Sequence, residues 1–396
     1  MYEPLRIPAG FRERMDHFHS ARVREAWGGR WLFEGATPGP GAVRVSSNDY
    51  LALAGHPAIT GAMARALTSR GNATLMSGVL LDDGDPQVVL ERRLARHLGY
   101  PGGVLCQSGW AANTGLLETV AGPETPVYVD MLAHMSLWSG ARSAGAPVHP
   151  FRHNDPERLA RAVAAHGRGV ILVDSVYSTD GSLCPLAEIA AVASSTGCLL
   201  VVDESHSLGT HGPRGAGMVA ELGLGGQVHF LTASLSKAFA GRAGFLAACE
   251  PDFARYYKLS SHPAVFSSTL LPHDVAGIAA ALEVVRRDRW RRERLHAVSS
   301  RVREGLLHHG LDLRGSLSQI IGLEAGEERE VMKLRDALER RGVFGAVFCA
   351  PATAPKRSMV RLSLNAALTD AEADTIVSAC GEAARELANR PRALRC

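Results

Sequence analysis

Four runs in the middle of the chain are apolar without alternation: Pro126 to Asp130, Gly169 to Asp174, Cys198 to Asp203 and Val228 to Thr232. They are rich in β-branched residues. A strand with one wet face alternates apolar and polar positions, whereas a continuous run suits a strand covered on both faces. Between the runs lie segments with helical spacing, such as Pro185 to Thr196 with Gly197 as its stop. Strand, helix and strand repeated in this way predict an α/β unit around a mostly parallel sheet. Right-handed crossovers in such a unit place ligand sites at the carboxyl ends of the strands.

The pattern changes near residue 275. Two long helical stretches, about 274–309 and 328–342, flank strand candidates at Gln319 to Glu324 and Val360 to Leu364. This predicts a smaller α+β unit packed on the first. The expected division is an N-terminal arm or helix over 1–45, a large domain over 46–275 and a small C-terminal domain over 276–396.

Composition narrows the class. The chain has 396 residues, 46% hydrophobic and 21% charged, ample for a large core. A mean hydropathy of −0.01 fits neither a membrane protein nor a disordered chain. Runs such as Val170 to Val173 are too short to span a bilayer, and Met1 to Gly10 carries no apolar run suited to a signal peptide. A cytoplasmic protein with no membrane span is expected. The net charge of +3 is too mild to point to nucleic acid. Arg286, Arg287, Arg289, Arg291, Arg292 and Arg294 read as a solvated helix face. The seven cysteines form no CxxC pair and are odd in number, which predicts reduced, mostly buried thiols. Lysine is rare: Lys237, Lys258, Lys333 and Lys356 are the only candidates for amine chemistry.

Three segments concentrate polar residues at predicted strand ends. Asp203-Glu204-Ser205-His206 closes the most apolar strand, where an isolated carboxylate is costly unless it meets a cation. The residue is either a helix cap or a partner for a positively charged ring nitrogen. Ser234-Leu235-Ser236-Lys237 follows the next strand. Desolvation there lowers a lysine pKa and frees the amine for a Schiff base. Gln107-Ser108-Gly109-Trp110 precedes an apolar helix, whose free N-terminal amides suit a phosphate. Each segment taken alone also reads as ordinary capping or loop chemistry. Together they match pyridoxal phosphate, whose phosphate, ring nitrogen and aldehyde need three such partners. No metal site is expected, because this reading already uses Asp203 and His206, and His211 beside them implies no open ligand geometry.

From about Ser46 onward the chain resembles the α-oxoamine synthases, fold-type-I pyridoxal-phosphate enzymes that join an amino acid to an acyl-CoA. The resemblance is carried by Ser47-Asn48-Asp49-Tyr50, Ser108-Gly109-Trp110-Ala111-Ala112-Asn113, Asp130 with His134, and His153-Asn154-Asp155. It continues in Tyr177-Ser178-Thr179-Asp180-Gly181, Asp203 to Gly209, Ser234 to Lys237, Phe266-Ser267-Ser268-Thr269 and Val360-Arg361-Leu362-Ser363. Gln107 to Trp110, His134 to Trp138, Asp203 to Gly212 and Ser318 to Glu324 resemble one branch most: synthases of long-chain α-hydroxyketone or α-aminoketone quorum-sensing autoinducers. Ser77 to Pro86 departs from the Gly-rich, Arg-containing stretch of the wider family and fits that branch.

The resemblance implies roles. Lys237 binds the cofactor aldehyde and moves protons at the α-carbon. Asp203 binds the ring nitrogen, His206 and Ser178 the ring hydroxyl, and His134 stacks on the ring. Ser108, Gly109, Trp110 and Ser234 hold the phosphate, and Ser267 or Ser268 reaches the phosphate of a partner subunit in a homodimer. Asn48 and Arg361 take the amino-acid carboxylate. The implied reaction joins a decanoyl-type acyl-CoA to S-adenosylmethionine or 2-aminobutyrate, with loss of CoA and CO2. Alternatives are a housekeeping member (glycine C-acetyltransferase, 8-amino-7-oxononanoate synthase or 5-aminolevulinate synthase type) and a pyridoxal-phosphate aminotransferase.

Overall fold

In the computed structural model, which describes residues 5–72, 75–313 and 315–388, the continuous apolar runs lie in one seven-stranded sheet. Its order is 102–106, 244–248, 230–234, 199–203, 170–174, 127–130 and 148–151. Neighbours from Phe230–Ser234 to Val148–Phe151 are parallel, and Gly244–Ala248 is antiparallel to both its neighbours. The apolar runs are continuous because both faces are covered. Ile171, Val173, Leu200 and Val202 enter one core, while Val170, Leu172 and Val201 enter another on the opposite face. The run expected at Val228 to Thr232 forms its strand two residues later, over Phe230–Ser234. Its second partner sets that register, pairing Phe230 with Ala248 and Ser234 with Gly244.

The helical stretch near 274–309 is two helices, Pro272–Arg287 and Arg289–His308. Asp288 between them leaves helical geometry at φ −89°, ψ 65°. Helix Pro272–Arg287 spans the expected 275/276 junction and buries Val275, Ile278, Leu282 and Val285 in the larger core. The second helix ends in the smaller core, with Val298, Val302 and Leu306. The arginine string is not a solvated face. Arg287 and Arg289 are exposed, but Arg292 is buried against the Val285 carbonyl. Arg291 bonds the Leu51 carbonyl at 2.9 Å and Arg294 the Leu368 carbonyl. Turning at Asp288 brings that side of the second helix onto neighbouring backbone.

The smaller core packs the antiparallel sheet 346–348, 358–363, 320–326 under helices Glu328–Glu339 and Asp370–Ala388. The N-terminal segment belongs to it. Val23, Trp27 and Leu32 are buried there, Trp27 Nε1 donates to Glu328 at 2.6 Å, and Val43–Arg44 pairs with Val343–Phe344. Cys106, Cys184, Cys198, Cys349 and Cys380 are buried free thiols and Cys249 is exposed; Cys396 lies outside the described residues. Among the described residues no helix is long and apolar enough to cross a membrane.

Candidate active site

Parallel strands bring Asp130, Asp174 and Asp203 to one edge of the sheet, each as the last residue of its strand. Asp174 and Thr232 flank Asp203 in register on either side. Lys237 follows the strand that ends at Ser234, so it enters at the same edge. Burial lowers its ammonium to about 8, with Asp203 and Asp174 pulling it back up and Arg361 pushing it further down. Among the described residues no hydrogen bond or ion pair holds its Nζ.

Asp203 is 4% exposed. Its Oδ2 accepts from Asn113 Nδ2 at 2.7 Å and its Oδ1 from the Ser205 amide at 2.8 Å. Both donors are neutral, and no cation pairs with it among the described residues. A carboxylate this deep is poised for a positive partner. Glu204 beside it has a different job: it accepts the Met218 and Val219 amides at 2.9 and 2.6 Å. Burial pushes it up to about 7.

Ser108 caps helix Gly109–Val120, its Oγ taking the Ala111 amide at 3.0 Å. The first-turn amides of Gly109 and Trp110 have no intrahelical acceptor and lie at the positive end of the helix dipole. Two glycines bring this helix start against the strand ends. A Cβ on Gly109 would lie 2.8 Å from Ser234 Cβ, and one on Gly244 would lie 2.1 Å from the Ser108 carbonyl oxygen. Ser108, Gly109 and Trp110 at the helix start therefore lie against Ser234 at the strand end.

His134 caps helix Met135–Ser143 and meets the half-exposed Trp110 edge to face, with ring centroids 6.1 Å apart. Burial lowers its pKa, Asp203 opposes that and Lys237 adds to it. His206 is buried and its Nδ1 lies 2.7 Å from the Tyr50 hydroxyl. Burial, then the cations Lys237 and Arg361, hold its pKa well below the usual histidine value. Arg361 is buried over the Phe348 ring at 4.4 Å; its Nη2 donates to Asn48 Oδ1 at 2.8 Å and its Nη1 to the Ser178 carbonyl at 2.6 Å. Its Nε is buried with no acceptor among the described residues.

The structure thus brings together Lys237, Asp203, His134, His206, Arg361 and Asn48, with Ser108, Gly109, Trp110 and Ser234 at one end. Ser178 meets Arg361 through its carbonyl. Ser267 and Ser268 make other contacts: the Ser267 hydroxyl bonds the Pro263 carbonyl, and Ser268 bridges Ser77 and accepts from Gln107 through its carbonyl. Three further residues join the cluster that sequence reasoning left without roles. Tyr50 and Asn113 sat inside the motifs that were read, but nothing in a motif names a side chain's partner. Asp174 closed a predicted strand just as Asp203 did.

Residues 40–379 match the family described as aminotransferase class I and II. The chain is 44% identical over 377 residues to the CAI-1 autoinducer synthase of Vibrio campbellii, covering 95% of each chain. It is 33% identical to 8-amino-7-oxononanoate synthase of Pseudomonas paraeruginosa, over 87% of this chain and 86% of that one. Among solved structures it is similar to a serine palmitoyltransferase from S. paucimobilis with bound PLP. That match has a TM-score of 0.85 and 24% identity, covering 96% of this chain and 98% of the other.

Proposed function

The chain belongs to the aminotransferase class I and II family and, within it, to the pyridoxal-phosphate-dependent α-oxoamine synthases, and from that premise we propose that it makes an aminoketone autoinducer precursor. It would condense a medium- or long-chain acyl-CoA of decanoyl type with S-adenosylmethionine or 2-aminobutyrate, releasing CoA and CO2. The observation that carries this reading is the 44% identity to the CAI-1 autoinducer synthase across 95% of both chains.

The residues present fit the cofactor. A buried carboxylate, an amine desolvated by burial with no hydrogen bond or ion pair among the described residues, and a helix start lie at one sheet edge. Pyridoxal phosphate supplies an aldehyde that captures an amino group and a cationic ring that draws electrons from the bond broken at Cα. The chain supplies the rest. Lys237, with a pKa of about 8, is partly neutral near pH 7 and would hold the cofactor aldehyde, then take and return the proton at Cα. Asp203 would keep the ring nitrogen protonated, and His206 with Ser178 would hold the ring hydroxyl. His134 would cover the ring face. Ser108, Gly109, Trp110 and Ser234 would bind the phosphate.

Arg361 has one buried N–H without an acceptor among the described residues. With Asn48 it would take the donor carboxylate and fix which Cα bond aligns with the ring. The enzyme would work as a homodimer with its sites at the subunit interface. Exposed Phe266, Leu259 and Leu80 beside Ser267 and Ser268 support that reading. The test is a panel of acyl-CoA lengths and amino donors with products identified by mass. A decanoyl-derived aminoketone is expected. Strong preference for short acyl-CoA would replace this reading with the housekeeping one.

A further inference from the structure

Asn113 is 1% exposed and lies inside helix Gly109–Val120, past the phosphate-facing start. Every hydrogen-bonding position of its amide that the fold uses is assigned by chemistry. The Asp203 carboxylate can only accept, so the Asn113 atom 2.7 Å from it is the amino nitrogen. That nitrogen's second N–H goes to Ser136 Oγ at 2.8 Å. The carbonyl end takes the Thr232 hydroxyl at 2.6 Å. Ser136 Oγ, already accepting from Asn113, lies 2.7 Å from His134 Nδ1. The Ser136 backbone amide, which can only donate, points at the same nitrogen at 3.3 Å. A ring nitrogen that accepts an amide N–H carries no proton, so the imidazole hydrogen sits on Nε2.

We infer that Asn113 is a positioning residue that sets the Asp203 carboxylate and, through Ser136, holds His134 as the Nε2–H tautomer. This rests on the reading that Asp203 and His134 touch the cofactor. One buried amide then locks the ring-nitrogen partner and the ring-face partner in a single relation, and Thr232 fixes the amide's orientation. Burial lowers the His134 pKa and Lys237 adds to that, while Asp203 favours the charged ring; Asp174 accepts the His134 backbone amide at 3.1 Å and does not touch the ring through that bond.

Two measurements test it, neither using acyl-CoA, so failure of the proposed condensation would leave them separate. First, nitrogen-15 NMR of histidine-labelled apoprotein, with the His134 signal assigned through His134→Gln, should show a neutral ring protonated at Nε2 at pH 7. A ring protonated at Nδ1, or at both nitrogens, would overturn the inference. Second, Asn113→Asp keeps the shape but cannot donate to Asp203. It should weaken pyridoxal-phosphate binding about tenfold or more, as for loss of a hydrogen bond to a charged group. In Asn113→Asp and Asn113→Ala the Nε2–H population of His134 should also fall. Wild-type cofactor affinity and an unchanged His134 tautomer in Asn113→Asp would refute the positioning role. If Asn113→Ala fails to fold, the wild-type NMR and Asn113→Asp still decide.

Discussion

Burial shifts the Lys237 amine toward the neutral form that attacks an aldehyde. Lys237 has an ordinary value of 10.5 and sits at about 8 here. Between those values the unfolded chain holds a proton that the folded apoprotein has shed. Burying the charged amine therefore costs the apoprotein stability in full below about pH 8, and that cost is relieved as pH climbs to about 10.5. Two outcomes follow for this residue. The rate at which apoprotein takes up pyridoxal phosphate, followed by visible absorbance, should rise with pH and level off with a midpoint near 8; a midpoint near 10.5 would mean the amine is not desolvated. Lys237→Met should lose that absorbance yet raise apoprotein stability by about 1 kcal/mol in thermal unfolding, because it removes an unpaired buried amine. Arg361→Lys makes a third test. Its point charge lacks the planar fork that meets Asn48, Ser178 and a carboxylate together, so the donor KM should rise about tenfold while cofactor affinity holds.

At the level of elements, the site is a meeting of strand ends with one helix start. Ser108→Ala removes the cap of helix Gly109–Val120 and should cost about 1 kcal/mol by chemical denaturation. Gly109→Ala should do more to ligand binding than to the helix. Its Cβ would press on Ser234 at 2.8 Å, so the helix start must retreat from the strand end and carry its first-turn amides with it. Equilibrium titration with pyridoxal phosphate should show weaker binding, and unchanged affinity would contradict phosphate binding at this helix start. The strands themselves were legible because burial on both faces leaves an uninterrupted apolar run, as in Val170–Asp174. The break at Asp288 was not legible, since helical spacing continues across it. The inward turn of Arg292 was hidden for the same reason: an arginine string looks alike whether its heads reach water or the carbonyls of a neighbouring loop.

For the molecule as a whole, the order of chemical groups along the chain carried most of the site. Asp203 and Lys237 follow adjacent parallel strands, and a parallel sheet must deliver both to one edge. Their partners required the fold. Tyr50 reaches His206 across 156 positions of sequence, and Asn113 reaches Asp203 across 90. The N-terminal segment, legible only as an arm, is strapped to the smaller core by Trp27 and Arg22 on Glu328 and by Arg30 on Asp336. The proposed reaction is decarboxylative joining of an acyl-CoA to an amino donor, and its immediate readout is free-thiol release from decanoyl-CoA by the purified holoenzyme. Release that requires S-adenosylmethionine or 2-aminobutyrate, and that disappears in Lys237→Ala, is the predicted result. No thiol release with any acyl-CoA, from protein that still shows the absorbance of bound pyridoxal phosphate, would contradict it.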